Sequence, residues 1–445
     1  MWNLDKTNTR QLLKLSGPLI IANISQMFLG IMDAMMVGQI SYKHLAASSL
    51  VINVVGIPYV SCIGLISVIS PLVAFLYSDR KASHIGSYLW HALILNTLIC
   101  IVMCTLLHIF SGVIFHLGQD IEVVNLAKPF LIYMTWAILP MVIFFTFKQF
   151  SDGLEHTRFP MILSLLSIPF NFILNYALIY GNFGFPRWEL VGSGLATLIT
   201  RITIMIILIV HVLTHPKFKE FNLFRFRWDP KVMKKISSLG LPSAWQYSSE
   251  VGAFVVLGIL SGWFGAQQQA AHQTAMSIAA FTFMVSLGLS TAGSIKVGEA
   301  FGNGKMDLAW VFGKTTIQIA FIYGLTCGII FIFLRNILPI SFTNDPVVFQ
   351  IASHLLVLAA FFQISDALQA VGIGLLRGLQ DVKIPTIFTT VIYWFVGVPA
   401  GYFLSVHWNM KVYGIWIGFI ISLGLIAVLL FVRFYHITRS GRPKF

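Results

Sequence analysis

The stretch "IQIAFIYGLTCGIIFIFL", residues 317–334, carries no charged side chain in eighteen positions. As an α-helix rising 1.5 Å per residue it is about 27 Å long, enough to cross the hydrocarbon of a bilayer. Leu, Ile and Phe recur in it without alternation. A transmembrane barrel strand needs a period of two, so helix is favoured over barrel. The run is not isolated: residues 89–115 hold no acid or base other than His91 and His108. Across 445 residues, 57% are hydrophobic and 10% charged, against roughly 25% charged in a soluble domain. The fold class that follows is an all-α polytopic membrane protein.

Twelve transmembrane helices are predicted, over 15–38, 45–77, 88–115, 126–148, 161–181, 190–214, 236–263, 270–298, 309–335, 350–376, 384–406 and 411–434. The second is longer than a bilayer requires and is expected to tilt or protrude. The first is long enough to span and lacks a cleavage pattern, so it is expected to stay in the mature chain. The net charge of +13 invites a nucleic-acid reading, which its placement opposes. With the N-terminus in the cytoplasm, 23 of the 29 Lys and Arg fall on that side; they include Arg80, Lys81, seven between Lys217 and Lys235, Arg442 and Lys444. Five fall outside (Lys43, Lys128, Arg187, Arg335 and Lys411), and Arg201 lies within a span. That asymmetry is the positive-inside rule, facing anionic lipid. No nucleic-acid partner is expected. The location expected is the inner (plasma) membrane, with both termini cytoplasmic. The four cysteines, Cys62, Cys100, Cys104 and Cys327, all fall in spans and read as small buried hydrophobes.

Shifted by 224 residues, the chain matches itself. Leu15 and Pro18 fall on Leu239 and Pro242, Ala46-Ala47 on Ala270-Ala271, Gly64-Leu65 on Gly288-Leu289, and Val73 on Val297. One residue of slip later, Gly153-Leu154 falls on Gly378-Leu379 and Pro160 on Pro385. Spans one to six and seven to twelve are therefore two copies of one bundle. Six is even, so both copies start from the same face, and their axis runs along the membrane normal, a transporter architecture. The organisation expected is a six-helix lobe over 1–214, a cytoplasmic linker over 215–235, and a second six-helix lobe over 236–445 with a short basic tail. The linker's "KFKEFNLFRFRWDP" (217–230) alternates bases with aromatics, as interfacial segments do. Two lobes joined this way can rock and expose a central cavity to either side in turn.

Three of the sixteen acids lie inside spans: Asp33, Glu250 and Asp366. An aspartate near a helix centre costs roughly 2.5–3.5 kcal/mol to insert, so each needs water, a partner or a cation. Ser243, Gln246 and Tyr247 precede Glu250 at helical spacing and make one polar face. Phe362 and Gln363 stand one turn before Asp366, and an aromatic face beside a carboxylate suits an organic cation. Asn171 and Asn175 share a face of span five and are placed to supply oxygens near Asp33; plain interhelical hydrogen bonding is the competing role. None of the acids echoes another: Asp33 maps onto Leu257, Glu250 onto Gln26, and Asp366 onto Met141 or Val142. Each lobe thus carries its own chemistry on a shared scaffold. A carboxylate removed from water holds a proton more readily. Competition among H⁺, Na⁺ and a cationic substrate for such a group is a sufficient mechanism for antiport.

These residues resemble the multidrug and toxic compound extrusion (MATE) family over nearly the whole chain. "MDAMMVG" (32–38) is similar to that family's first-span acidic motif. "SSEVGAFVVLGILSGWFGAQQQAAHQTAM" (248–276) resembles its span seven to eight region, and "SIKVGEAFGNG" (294–304) its end of span eight. "SDALQAVGIGLLRGLQDVKIP" (365–385) resembles its span ten signature, while "SDGLEHTRFP" (151–160), Asn171 and "VGSGLAT" (191–197) match its first lobe. The resemblance implies two six-helix lobes in a V shape and cation-driven export of diverse, often cationic, drugs, with small-molecule substrates, the bilayer as surroundings and a monomer as the working state. Glu250 and Asp366 in their motifs point to the NorM-like branch. Carried over residue by residue, they form a cation site of the second lobe, with Na⁺ as a possible metal, and Asp33 with Asn171 and Asn175 forms a site in the first. Position 362 is phenylalanine where some Na⁺-coupled relatives are expected to have tyrosine. No cofactor is implied beyond Na⁺ or H⁺ as coupling ion.

Two other classes compete. A flippase for lipid-linked sugars needs basic residues in its cavity, and Arg201 is the one candidate. An intramembrane enzyme needs a nucleophile–base pair or metal ligands at helical spacing, and the chain shows no Ser–His pairing and no HExxH arrangement. His272 reads as a packing or hydrogen-bonding residue, and Arg201 as snorkelling or paired with an acid.

Overall fold

In a computed structural model, the described residues are 6–79, 82–112, 120–221, 223–224, 226–343 and 345–440. Arg80, Lys81, Arg225, Arg442 and Lys444 of the charge asymmetry lie outside them. Among the described residues there is no strand, and eleven helical stretches are long and apolar enough to cross a membrane. They are built from α1 (Lys6–Gly38), α2 (Tyr42–Ile66) with α3 (Ile69–Ser78), α4 (Ala82–Ile109), α5 (Ile121–Trp136) with α6 (Ile138–Gly153), α7 (Arg158–Tyr180) and α8 (Glu189–Thr214). After α9 (Pro230–Gly262) follow α10 (Ala266–Gly302), α11 (Met306–Leu334), α12 (Pro346–Gly378), α13 (Lys383–Ile392) with α14 (Val398–Val406), and α15 (Val412–Ser440). The twelfth expected span is α9, an unbroken helix of 33 residues. Its polar stripe through Ser243, Gln246, Tyr247 and Glu250 lowers its mean hydropathy below that of the other eleven.

Three spans are interrupted, each four residues before a proline. A proline has no N–H to give to the carbonyl four residues back, and its ring clashes with that carbonyl. Pro71 thus accounts for the break at Ser67 between α2 and α3, and Pro140 for the break after Trp136 between α5 and α6. Pro399 stands four residues after Phe395, inside a π-helical turn over Tyr393–Gly397 that joins α13 to α14. The long second span is thus divided into two helices at Ser67 and Val68.

The chain packs as two compact units, one of residues 21–244 and one of residues 1–20 with 245–445. In the second, α12 is the central helix, packed on α10, α11 and α15. Glycines let these backbones approach, as is usual between helices in lipid. A Cβ on Gly374 would stand 2.6 Å from the Ser290 carbonyl, and one on Gly324 2.9 Å from the Ile364 backbone. In the first unit α6 packs on α3, α4 and α8.

The internal repeat recurs as contacts. A Cβ on Gly153 would meet the Ser70 carbonyl at 2.5 Å and Val73 Cβ at 2.9 Å; one on Gly378 would meet the Ser294 carbonyl at 2.6 Å and Val297 Cβ at 3.1 Å. Ser294 and Val297 are the 224-residue images of Ser70 and Val73. Gly64 abuts the backbone of Ser243 and Ala244 in the first unit, and its image Gly288 abuts that of Ile20 in the second. Ile20 in turn maps onto Ala244. The unit boundaries at Ile20 and Ala244 each follow a helix-interior proline, Pro18 or Pro242, by two residues.

Outward faces are apolar, as helices beside lipid tails require. Leu98, Val102 and Leu106 of α4 and Ile329, Ile332 and Phe333 of α11 are exposed. The linker is strapped to α4. Trp90 donates to the Leu223 carbonyl at 2.6 Å, and the Asp229 N–H donates to His91 Nε2 at 2.9 Å while His91 Nδ1 lies 2.7 Å from the Ser87 carbonyl. Because Nε2 accepts, the imidazole is neutral with its proton on Nδ1. Phe226 and Trp228 lie against the same ring at 5.3 and 5.1 Å.

Candidate functional site

Glu250 and Asp366, 116 positions apart on α9 and α12, line one cavity of about 190 Å³ in the second unit. Its walls are Tyr247 and Phe254 from α9, Met276, Ala279 and Phe283 from α10, and Phe362 from α12. One oxygen of Glu250 accepts two hydrogen bonds, from Tyr393 Oη at 3.0 Å and from Gln369 Nε2 at 3.3 Å. The π-helical turn delivers Tyr393, and the next residue, Trp394, donates to Ser249 Oγ at 3.0 Å. That turn therefore grips α9 at two successive residues. Wide turns of this kind often mark functional sites, since the extra residue re-aims a side chain. Phe254 sits between Phe362, Tyr393 and Phe419, with centroids 6.4, 6.0 and 4.5 Å away. Two carboxylates framed by ring faces are chemically suited to hold a cation.

A second, smaller cavity of about 20 Å³ shares Tyr247, Glu250 and Phe283 with the first. Gln246, Ser290, Gln369 and Arg377 complete it with apolar side chains. Arg377, in the last turn of α12, stacks its guanidinium 5.6 Å from the Tyr247 ring centroid. Gln363, expected beside Asp366 in the site, is fully buried and lines neither cavity; its Nε2 donates toward the Ala279 carbonyl at 3.4 Å.

The first unit gathers a different set. Asn175 Nδ2 donates to Asp33 Oδ1 at 2.6 Å and to Asn171 Oδ1 at 2.9 Å. Asn171 Nδ2 donates to Thr200 Oγ1 at 3.2 Å, and Thr197 Oγ1 donates to Asp33 Oδ2 at 3.1 Å. The asparagines were expected to offer oxygens near Asp33. Asn175 offers its amide N–H instead, because two oxygens facing each other would repel. Asn171 and Asn175 are fully buried, so the network is an interhelical lock between α1, α7 and α8 as much as a site. Arg201 donates to the Ala137 carbonyl at the α5–α6 break at 3.1 Å and lies within electrostatic reach of Asp33 and Tyr59.

His272 accepts from Trp416 Nε1 at 3.2 Å and stacks beside Phe419, a packing and hydrogen-bonding position. All four cysteines are buried and free, with Cys100 and Cys104 sulfurs 3.8 Å apart. Among the described residues, no group of three His, Cys, Asp or Glu stands at metal-binding distance. Sequence reasoning missed Tyr393, Gln369 and Arg377. Nothing local marks Tyr393, which is 143 positions from its partner. Arg377 is among the 23 bases assigned to the cytoplasmic side, yet it lines the small cavity with Glu250, so Arg201 is not the single basic residue facing a cavity or an acid.

The family model MatE matches residues 18–177 and 242–403, one match in each half of the internal repeat. A protein named "Probable multidrug resistance protein NorM" from Mesorhizobium japonicum is 31% identical over 99% of this chain and 96% of its own length. One of the same name from Bacillus subtilis is 31% identical over 98% of this chain and 97% of its own. Among solved structures, the eukaryotic MATE transporter AtDTX14 superposes with a TM-score of 0.89 at 20% identity, covering 98% of each chain.

Proposed function

Because the chain belongs to the MatE family, we propose that it exports diverse organic, often cationic, drugs in exchange for Na⁺ or H⁺ by alternating access. The observation that carries this reading is the shared cavity of Glu250 and Asp366, walled by Tyr247, Phe254, Phe283 and Phe362. Drug pockets usually measure roughly 300–1,000 Å³. At about 190 Å³ this cavity takes the charged end of a drug rather than the whole molecule. The carboxylates supply charge, and the rings supply face attraction that tolerates many shapes. Met276 adds an adaptable side chain to the same wall.

A coupling ion and an organic cation cannot both neutralise the same carboxylate. Arrival of one releases the other, and the difference in their binding to the two facing states drives the cycle. Asp33 with Asn171, Asn175 and Thr197 serves as the polar site of the first unit. The acid pair repels a pyrophosphate, which counts against the sugar-lipid flippase reading. The protein works as a monomer in the inner membrane with both termini in the cytoplasm. The test is Glu250→Gln and Asp366→Asn, each expressed in a drug-sensitive host and reconstituted in liposomes under a Na⁺ or a pH gradient. Both variants reach the membrane and lose efflux under the gradient that drives the wild type. Full efflux in both would remove the coupling role.

A further inference from the structure

Among the described residues of the unit of 1–20 and 245–445, two lysine or arginine side chains are buried, Lys296 and Arg377. Lys296 donates to Glu299 at 3.0 Å and sits 5.8 Å from the Phe312 ring centroid. Arg377 is 8% exposed, and its Nε and Nη2 make no hydrogen bond to protein. Beside it, neither amide atom of Gln246 has a protein partner, nor does Gln369 Oε1, and both glutamines are 1% exposed. These groups converge on the small cavity that also reaches Glu250. A drug does not fit in about 20 Å³, whereas about one water does. The guanidinium is therefore a fixed charge at a cavity that Glu250 also lines, while Asp366, eleven residues earlier on α12, lines the larger cavity with Glu250. The ionisable groups facing Glu250 are Tyr247 on its own helix, Asp366 and Arg377 on α12, and Tyr393 on the π-helical turn.

Charge counting follows. When both carboxylates are ionised, they and the one guanidinium leave one negative charge in a low-dielectric site, where an unbalanced charge is costly. One monovalent cation restores neutrality, and a dication overshoots it. Resting on the export reading above, we propose that Arg377 is a built-in counter-charge that limits the Glu250–Asp366 site to one mobile positive charge. It thereby selects monovalent organic cations and sets one coupling ion against one drug molecule. The first unit needs no such ion, since Asp33 is a single acid with the single guanidinium of Arg201 within reach.

Ethidium and propidium test this, because they share a ring system and carry one and two positive charges. Both are titrated by fluorescence anisotropy onto the purified full-length protein, with Na⁺ tracer and pH-dye arms that count the ions released per dye bound. The wild type binds ethidium at least tenfold more tightly than propidium and releases one ion, Na⁺ or H⁺. In Arg377→Gln the preference shrinks at least tenfold; in Arg377→Lys, which keeps the charge, it is retained. A purely structural role for Arg377 would not give a valence-dependent change rescued by lysine. Equal binding of the two dyes by the wild type overturns the proposal without any variant, as does release of two ions. An unchanged preference in Arg377→Gln, or a lysine variant that behaves like glutamine, also overturns it. Export of neither dye by the wild type, with one ion still exchanged at the acid pair, overturns the export reading instead.

Discussion

Replacing Tyr393 by phenylalanine removes one hydroxyl and leaves a ring that is 1% exposed and packed against Phe254. What is lost is the 3.0 Å hydrogen bond to Glu250, the shorter of the two that this oxygen accepts. Hydrogen bonds to charged groups contribute about 1.5–3 kcal/mol in soluble proteins. Interhelical ones in membranes average about 0.6 and reach about 1.7 kcal/mol. A charge-assisted bond with a buried donor belongs near the top of the membrane range, so about 1.4 kcal/mol, or about tenfold in affinity, is expected. The sign follows from which state the hydroxyl favours. It stabilises Glu250 as a bare carboxylate, the state that a cation must replace. Tyr393→Phe therefore binds an organic cation about tenfold more tightly and releases it more slowly, so turnover in proteoliposomes falls. Anisotropy titration gives the affinity and stopped-flow dilution the release rate. Weaker binding would refute the reasoning, because it would make the hydroxyl oxygen a ligand of the cation rather than its competitor. Unchanged binding would show that the bond contributes nothing.

Three further outcomes are expected. Gly153→Ala and Gly378→Ala, which push a methyl into equivalent backbone contacts, each destabilise by about 1–3 kcal/mol; thermal unfolding in detergent checks this, and a large drop in one alone would break the equivalence of the two copies. Lys148→Met strands Asp152, which is 0% exposed and bonded to Lys148 at 2.7 Å, and should cost about 3–5 kcal/mol, whereas adding Asp152→Leu recovers most of it. Ala279→Trp fills the cavity beside Glu250 and abolishes dye binding while the protein stays monodisperse in size-exclusion chromatography; retained affinity would place the dye elsewhere.

The long apolar runs, the doubling at 224 residues and the misplaced acids were all legible along the chain. Hydrophobic length is a property of consecutive residues, and a repeat is a comparison of the chain with itself. By length and composition α9 is the weakest of the twelve, because the polar face through Glu250 also dilutes its apolar character. The broken spans had a local cause in Pro71, Pro140 and Pro399. Their consequence, a π-helical turn presenting Tyr393 to Glu250, did not show in one dimension.

Sequence alone settled that this is a doubled helical membrane protein carrying one acid in its first copy and two in its second. That outcome depends on transfer of residues out of water, which is nearly additive along a helix. Only the tertiary structure decided what each acid meets: Asn175 and Thr197 at Asp33, Tyr393 and Gln369 at Glu250, and Arg377 behind it. Those meetings depend on the rotation of each helix about its axis and on how closely glycine contacts let neighbours approach. Neither is written in the order of residues within any one span.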